Sequence, residues 1–412
     1  MARPSPVAID FTFTEQQELW RRAVRAYLEE EIVPLLPTLK AFEDKHEFPW
    51  PLVEKLAAQG LMGVPIPAKY GGAGLGEVGY CLLMEELVRI DTSLATIVGA
   101  HTGIAVQPLY LFGTEAQRQK YLPAMCRGER VGAFCLTEPQ AGSDAANLKT
   151  VAVKKGKAWH LTGTKLYVTN GDVADVLIVM ALTDPVLGAR GGVTAFIVEK
   201  GFGGYHVGTL ENKMGIRGST TAELVFDDCV VPEENVLGEV GLGFIVALTA
   251  LDGGRVGLAA GTLGGARGSL ELMLQASRAR HRLGEKVGDL QQLQNAIADT
   301  AMDIHMAEMA VYSAAQEVGH YYDLVANRER VPKELRDRVS SHAGIVKAYG
   351  SEAASRAIDR AVQVLGPYGG LEAWAAEKHF RDSVIAEIFE GTNDIQRLII
   401  ARDLLGIGGF YA

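Results

Sequence analysis

The C-terminal part of the chain holds three helical patterns that are unusually long for a globular protein. They run from Gly243 to about Arg282, from Asp289 to about Asn327 and from Leu335 to Leu365, each longer than 25 residues. Helices of that length indicate side-by-side packing, so residues 241–412 are predicted to form a long four-helix bundle. In the third helix we expect one buried apolar stripe: Ile345, Val346, Tyr349, Ala353, Ile358, Val362 and Leu365.

Two glycine pairs interrupt the first of these long helices. Gly253-Gly254 and Gly264-Gly265 lie inside an otherwise helical pattern, where glycine costs stability relative to alanine. We expect a close approach at these positions. The group that comes close to these glycines is either a ligand or a neighbouring helix.

The N-terminal segment, 1–130, is predicted to be all-helical. Thr14 to Gln17 form a capping box, and apolar residues follow at helical spacing. The glycine-rich run Lys69–Gly76 is predicted to be a turn-rich loop and not a phosphate cradle, because no strand precedes it.

The middle segment, 131–240, is predicted to be an antiparallel β-sheet. Short β-rich runs alternate there with turn pairs such as Asn170-Gly171. No helices of ten residues separate these runs, which argues against a parallel Rossmann sheet. The predicted fold class is α+β multidomain, with the sheet sandwiched between two helical domains.

Composition excludes several functional classes. The 412 residues carry a net charge of −10, which argues against bulk binding of nucleic acid. The four cysteines form no CxxC pair and read as buried thiols of a reducing compartment. Histidine spacing indicates no metal site. We identify neither a signal peptide nor an apolar run of membrane-spanning length, so a cytoplasmic protein without a membrane span is expected.

One carboxylate near the C-terminus is a candidate catalytic base. Glu390 follows the apolar run Val384–Phe389 and precedes Gly391, after which a second helical pattern begins. Glu390 is predicted to be the last side chain of an apolar helix, with Thr392 or Asn393 capping the next helix. In such a poorly solvated setting its pKa would rise towards neutrality. The alternative is a solvated, inert carboxylate.

Two segments of the sheet domain have the composition of ligand-binding sites. The loop Cys135–Asp144 offers a hydroxyl and uncovered backbone amides, although a domain-linking turn explains it equally well. The strand Lys165–Gly171 puts Tyr167 and Thr169 on one face, which suits either ring stacking or an ordinary cross-strand pair.

Taken together, four segments resemble the acyl-CoA dehydrogenase family. They are Cys135–Asp144, Lys165–Gly171, Lys213–Ser219 and Ile388–Arg397, and the resemblance extends from about Phe11 to Leu405. It implies FAD-dependent α,β-dehydrogenation of an acyl-CoA to a trans-2-enoyl-CoA, with electron-transfer flavoprotein as the acceptor. It also implies a homotetramer and a short-chain (butyryl-type) or branched short-chain substrate.

The resemblance assigns roles to individual residues. Glu390 matches the catalytic base; some members carry that Glu at the position of Gly254 and a glycine at the position of Glu390. The implied substrate contacts are Ser143, Asp252, Arg255 and Gly391, although a surface ion pair is an alternative for Arg255. The resemblance also implies that the contacts at the adenosine end of FAD come from a second subunit. The implied FAD contacts are Phe134, Leu136, Thr137, Gly142, Ser143, Tyr167, Val168, Thr169, Arg280, Gln291, Gln363, Val364, Leu365, Gly366, Thr392 and Asp394.

Two rival functions fit the same fold. An acyl-CoA oxidase-like enzyme would pass electrons to oxygen. A non-catalytic scaffold would keep the helices without the chemistry, but the presence of Glu390, Thr137, Thr169 and Arg280 argues against it.

Overall fold

The computed structural model of the protein describes residues 12–279, 281–282 and 285–407. Its N-terminal part holds α1 (Glu15–Tyr27), α2 (Leu36–Lys45), α3 (Trp50–Ala58), α4 (Gly76–Ile90), α5 (Thr92–Val98), α6 (Gln107–Phe112) and α7 (Glu115–Cys126). The middle part holds β1 (Gly132–Cys135), β2 (Val151–Lys155), β3 (Ala158–Thr169), β4 (Val176–Leu182), β5 (Val193–Glu199), β6 (Tyr205–Leu210), β7 (Thr221–Pro232) and β8 (Val236–Leu237). The C-terminal part holds α8 (Gly243–Ala279), the short pair β9 (His281–Arg282) and β10 (Glu285–Lys286), α9 (Gln291–Ala326), α10 (Lys333–Leu365), α11 (Ala376–Ala386) and α12 (Asn393–Leu405). This order confirms the predicted α+β multidomain fold.

The N-terminal helices pack around α4, which is buried along most of its length. The predicted capping box at Thr14 is confirmed, and Thr114 caps α7 in the same way. Lys69–Gly76 forms a turn-rich loop as predicted, with one short helical turn at Ala68–Tyr70. A π-helical segment, Gly99–Val106, joins α5 to α6 and lies against α8.

The strands β1 to β8 form one sheet in the spatial order β6–β7–β3–β2–β4–β5–β8, with β1 beside β4. Most neighbours pair antiparallel, as predicted. The structure adds two parallel pairings, because β1 and β2 both run in the direction of β4. Strand β4 is buried on both faces, between helices on one side and the far half of the sheet on the other. Such burial is the usual setting for parallel pairing.

Close helix contacts explain two of the four glycines of α8 that form the predicted pairs. A Cβ atom at Gly264 would lie 1.9 Å from the backbone oxygen of Glu85 in α4, so only glycine fits there. A Cβ at Gly253 would lie 2.2 Å from the Tyr322 hydroxyl of α9, whereas one at Gly265 would make an ordinary 3.4 Å contact with Val88. Helix packing therefore explains Gly264 and Gly253, whereas no contact of a Cβ atom at position 265 excludes a side chain there. Gly254 faces the candidate active site described below.

The apolar stripe predicted for α10 is partly wrong. Ile345 and Tyr349 are 40% and 37% exposed, although Val346, Ala353 and Ile358 are buried as expected. In place of the two exposed residues the helix buries Lys347 completely. The apolar periodicity predicted the helix correctly but placed its buried side wrongly. The side that faces the core contains small residues and one charged residue, which an apolar pattern does not mark.

Two helical stretches have the length and apolar composition of a membrane span, contrary to the expectation from the sequence. They are Thr92–Phe112 and Gly243–Ala279. In the structure 83% and 78% of their apolar windows are buried against other elements. Packing in the core therefore accounts for their composition.

Candidate active site

Glu390 lies in a turn between two helices and is not the last side chain of a helix, which corrects the prediction. Helix α11 ends at Ala386, and α12 begins at Asn393 with Thr392 as its N-cap. We call residues 387–393 the Glu390 turn. Glu390 itself has a left-handed backbone with φ 58°, and Gly391 follows with φ 83°. For a residue other than glycine this conformation costs about 1–3 kcal/mol, and it aims the Glu390 side chain away from both helices.

Two side chains from other parts of the bundle hold the backbone of this turn. Arg255 Nε donates to the Glu390 carbonyl oxygen over 3.2 Å, and Gln396 Nε2 donates to the same oxygen over 3.1 Å. Gln396 Nε2 also donates to the carbonyl oxygen of Gly391 over 2.9 Å. The Glu390 backbone N–H, by contrast, finds no acceptor within the described part of the chain. It is free to serve a bound molecule.

The Glu390 carboxylate is half-buried and accepts no hydrogen bond from the described residues. Its Oε2 atom is buried and has no hydrogen-bond partner among the described residues. Burial raises the pKa of Glu390 to about 7, against the lowering effects of Arg255 and Lys347. The alternative of a fully solvated carboxylate is therefore wrong, and the role of Glu390 as a base stays a prediction. A carboxylate with this pKa takes up and releases a proton near neutral pH.

Gly254 allows the Glu390 carboxylate to pack closely against helix α8. A Cβ atom at position 254 would lie 3.1 Å from both Glu390 carboxylate oxygens and 2.9 Å from Ile104 Cγ2. Ile104 belongs to the π-helical segment, so helix α8, that segment and the Glu390 turn meet here. A side chain at position 254 would have to displace Ile104 or the carboxylate, so this close approach requires glycine.

Asp252 and Arg255 form a buried ion pair next to this space. Arg255 Nη1 donates to Asp252 Oδ1 over 3.0 Å, and Ser340 donates to the other carboxylate oxygen over 2.7 Å. Both side chains of the pair are at most 5% exposed, so the alternative of a surface ion pair is wrong. The structure brings Arg255 to the Glu390 backbone. Contact of the pair with the CoA moiety stays a prediction.

The loop Cys135–Asp144 is fastened to β3 by a backbone bond and a buried ion pair. Leu166 N donates to the Thr137 carbonyl oxygen over 2.8 Å. Lys165 Nζ lies 2.6 Å from Glu138 Oε1, and it also donates to the Leu136 carbonyl oxygen. Because Lys165 and Glu138 are both buried, the loop and the strand form one rigid unit.

A bulge in β3 shapes the surface beside that loop. The register with β7 shifts between Lys165 and Val168, and Tyr167 adopts a left-handed backbone with φ 55°. The ring of Tyr167 is 62% exposed, while Val168 points into the sheet core. Thr169 follows Val168 and is half-buried. That the Tyr167 ring and the Thr169 hydroxyl lie on one side stays a prediction.

The predicted cofactor contacts differ in what they can offer to a ligand. Gly142, Ser143 and Tyr167 are exposed and Thr137, Thr169 and Phe134 are half-buried, whereas the side chains of Leu136 and Val168 pack in the cores. Leu136 and Val168 can therefore contribute little more than backbone atoms. In the Glu390 turn, the Thr392 hydroxyl caps α12 by accepting from Ile395 N, and Asp394 is exposed.

The residues predicted to contact adenosine lie at the other end of the bundle. Gln291 is the first residue of α9, and Gln363 and Gly366 lie at the end of α10; all three are exposed, while Val364 and Leu365 are buried. At 1.5 Å per residue, Gln363 is about 24 Å along α10 from Lys347, which borders the Glu390 turn. Arg280 lies outside the described residues.

Four residues that hold the candidate site in place were not predicted from the sequence. Lys347 and Gln396 hold the Glu390 turn, and Lys165 and Glu138 hold the loop beside β3. Each is a polar residue within an apolar helix or strand, or next to one, and that was the available signal. Their partners are far away in the sequence, so only the fold reveals them.

The geometry is typical of a class of protein: an enzyme with a carboxylate whose raised pKa lets it accept a proton near neutral pH. Comparison with models of known protein families identifies the family. Models of the N-terminal, middle and C-terminal domains of acyl-CoA dehydrogenases match residues 14–129, 133–229 and 241–405. The chain belongs to the acyl-CoA dehydrogenase family, whose members are FAD-dependent oxidoreductases.

Characterised relatives align over nearly the whole chain. An "Acyl-CoA dehydrogenase" of Bacillus subtilis (strain 168) is 40% identical over 393 residues, 95% of this chain and 99% of the relative. A short-chain specific acyl-CoA dehydrogenase of Clostridium acetobutylicum is 38% identical over 395 residues, with coverages of 95% and 99%. The human mitochondrial very long-chain specific enzyme is 40% identical over 382 residues, which cover 89% of this chain and 56% of that enzyme.

Solved structures show the same fold. Butyryl-CoA dehydrogenase of Megasphaera elsdenii has a TM-score of 0.88 at 36% identity, covering 96% of this chain and 100% of that one. A chain from a structure described as the electron transferring flavoprotein of Acidaminococcus fermentans has a TM-score of 0.88 at 38% identity, with coverages of 96% and 99%. An acyl-CoA dehydrogenase of Bacillus anthracis complexed with FAD has a TM-score of 0.86 at 34% identity, with coverages of 98% and 70%.

Proposed function

We propose that Glu390 is the base that removes the α-proton of a bound acyl-CoA thioester as the β-hydride leaves, which yields a trans-2-enoyl-CoA. The observation that carries this assignment is the carboxylate itself, whose Oε2 atom is buried and has no partner among the described residues and which lies close to Gly254 of α8. A thioester α-carbon is a far weaker acid than a solvated carboxylic acid. The pKa of about 7 that burial gives Glu390 narrows this difference.

A second requirement is a donor for the negative charge that develops on the thioester oxygen. The backbone N–H of Glu390 suits this role, since no described residue accepts from it. One preorganised donor of this kind is worth about 3–4 kcal/mol to the transition state. Arg255 and Gln396 hold the carbonyl group of the same residue and so keep the donor in place.

The surface formed by the loop Cys135–Asp144 and the end of β3 fits the isoalloxazine ring of FAD. The exposed ring of Tyr167 provides a plane for stacking, and Gly142 has open space where a Cβ atom would be. We propose that Thr137, Ser143, Tyr167 and Thr169 hold the ring system, together with backbone atoms of the loop. When bound, FAD supplies the acceptor for the β-hydride.

The adenosine end of FAD is proposed to contact a neighbouring copy of the chain. Gln291, Gln363 and Gly366 lie too far along the bundle to reach the site formed by the Glu390 turn of their own chain. Large apolar side chains are exposed on two bundle helices, where another subunit can cover them: Met302, Met306, Leu404 and Leu405. We propose a homo-oligomer, a tetramer as the resemblance implies.

A short-chain or branched short-chain acyl group is the proposed substrate. Short-chain specific relatives and a butyryl-CoA dehydrogenase structure match almost the entire chain. The very long-chain relative is equally similar but matches with only 56% of its length. The test is anaerobic flavin bleaching by butanoyl-CoA and hexadecanoyl-CoA, with the enoyl product identified. A much higher kcat/KM for hexadecanoyl-CoA would contradict the proposed chain length.

Electron-transfer flavoprotein is the proposed acceptor, supported by the matching chain in the Acidaminococcus fermentans structure. The rival acceptor is oxygen, as in an acyl-CoA oxidase. Turnover in air decides between them: we expect slow peroxide formation and fast reduction of added electron-transfer flavoprotein. Rapid peroxide release with no effect of the flavoprotein would favour the oxidase.

The proposed location is the cytoplasm. All four cysteines, Cys81, Cys126, Cys135 and Cys229, are buried free thiols. Unpaired thiols are typical of a reducing compartment.

A further inference from the structure

Lys347 is a charged residue that the dehydrogenation chemistry described so far does not use. It lies in the middle of α10 with no exposed surface. Its Nζ atom donates to Asn393 Oδ1 over 2.8 Å and to the Glu387 carbonyl oxygen over 3.1 Å. A lysine so deeply buried loses much of its hydration, and such residues are rare unless they have a defined task.

The two acceptors of Lys347 are the two ends of the Glu390 turn. Glu387 begins the turn and Asn393 ends it, and Asn393 N donates back to the Glu387 carbonyl oxygen over 3.0 Å. Ser351, one helical turn further along α10, donates to the same Asn393 Oδ1 over 3.3 Å. The ammonium group therefore closes the base of the turn, while Arg255 and Gln396 hold its tip.

Among the charged groups near Lys347, Glu390 has the largest effect on the pKa of Lys347. The charged groups around Lys347 are Glu387 and Glu390 of the turn, Glu352 of its own helix and Arg255 of α8. The Glu387 carboxylate already accepts from Ser355, and the Glu352 carboxylate already pairs with Arg397. Glu390 is the acid of this group with a buried, unpartnered oxygen.

Other elements around Glu390 add few charges. Helix α4 contributes the neutral phenol of Tyr80, α8 contributes Arg255 and α10 contributes Lys347. Burial lowers the pKa of Lys347 to about 8, with Glu390 opposing that fall. Near neutral pH the ammonium is therefore still positive when the carboxylate loses its proton.

We propose that Lys347 is a positioning residue for the base: it ties both ends of the Glu390 turn to α10 and holds a positive charge behind the carboxylate. The first effect fixes the direction of the carboxylate towards Gly254. The second lowers the pKa of Glu390, which burial raises, so that part of the carboxylate is ionised near neutral pH. The proposal rests on the proposed role of Glu390 as the base.

The test is the pH dependence of anaerobic flavin reduction by butanoyl-CoA in the full-length holoenzyme. Lys347→Met removes the charge and both hydrogen bonds, and Lys347→Gln keeps a donor without the charge. For both variants we expect the kinetic pKa of the base to rise by about one unit and the rate at pH 7 to fall about tenfold or more. We expect KM for butanoyl-CoA to change little.

Ser351→Ala is the matched control. It removes a hydrogen bond to the same Asn393 and leaves the Lys347 charge in place, so the kinetic pKa should match that of the wild type. Slower reduction in both Lys347 variants with an unchanged kinetic pKa would overturn the proposal, as would wild-type rates. Loss of folding or of FAD in both variants would overturn it too, in favour of a purely structural role. Failure of Glu390 as the base is detected separately, by the activity of Glu390→Gln.

Discussion

Gly254 and Glu390 face each other across the candidate active site, and a Cβ atom at position 254 would lie 3.1 Å from each carboxylate oxygen of Glu390. The two residues are far apart in the sequence, on α8 and in the Glu390 turn. The glycine therefore determines how much room the base and a bound thioester have.

We expect Gly254→Ala to slow flavin reduction about 100-fold, because the added methyl group displaces the carboxylate from the α-proton and misplacements near 1 Å carry costs of that size. Stopped-flow reduction by butanoyl-CoA measures the rate. Gly265→Ala is the control on the same helix, since its Cβ would make an ordinary 3.4 Å contact with Val88. Equal rates for the two variants would contradict the assigned role of Gly254.

The same proximity predicts that the base can be moved to α8. Glu390→Gly should lose about 1,000-fold or more in rate, since a positioned base contributes up to about 10⁴-fold. Adding Gly254→Glu places a carboxylate in the same space and should recover at least about tenfold of that loss. The control is the double variant that combines Glu390→Gly with Gly254→Gln. Its new side chain has the same size but no carboxylate, so it should recover none of the lost rate. Equal rates for the Glu and Gln partners would mean that position 254 cannot deliver a base.

Lys165 and Glu138 are predicted to stabilise the loop beside β3 as a pair. Lys165→Met leaves the buried Glu138 carboxylate without its cation, so we expect the free energy of unfolding to fall by about 3–5 kcal/mol. FAD should also bind more weakly, because Lys165 fastens the loop through the Leu136 carbonyl oxygen. Urea unfolding and FAD titration measure the two effects. Adding Glu138→Gln removes the stranded charge and should restore much of the stability; a double variant no more stable than the single one would refute the pairing.

Glu77 predicts a pH-dependent stability that can be measured without changing the candidate base Glu390. It is 4% exposed at the start of α4, its Oε2 accepts from Gln107, and its Oε1 has no partner in the described part of the chain. Burial raises the pKa of Glu77 from 4.5 to about 7. The folded protein thus binds this proton more tightly than the unfolded chain does. The contribution of Glu77 to stability is therefore full below pH 4.5 and falls as pH rises towards 7.

Glu77→Gln stays neutral at every pH. We expect the variant to be more stable than the wild type by up to about 3 kcal/mol at pH 8, with the difference closing towards pH 4. Urea unfolding across this pH range measures it. The exposed Glu30→Gln gives the baseline for removing one surface charge. A stability difference that is the same at pH 4 and pH 8 would rule out an ionising, buried Glu77.

Much of the fold could be predicted from local pattern. The long helices of the bundle, the capping box at Thr14 and the mainly antiparallel sheet follow from periodicity and turn residues over short windows. Glu390 and the N-cap residue Thr392 could also be recognised from the sequence, because a carboxylate followed by glycine between two apolar helices is a local signal.

The rest depends on contacts between distant segments. The parallel pairing of β1 with β4 arises from where the chain returns to the sheet, and the helix end at Ala386 leaves Glu390 in a turn of its own. The sequence does not single out Lys347 as buried, since lysines usually lie on the surface. Its burial follows from the Glu390 turn that packs over it, 40 residues later at Glu387.

The rate of anaerobic flavin bleaching by butanoyl-CoA in Glu390→Gln tests the central claim most directly. The amide keeps the size of the side chain and cannot accept the α-proton, so we predict a rate at least about 1,000-fold below that of the wild type. FAD content and butanoyl-CoA binding should stay as in the wild type. Bleaching at the wild-type rate would contradict the assignment of Glu390 as the base.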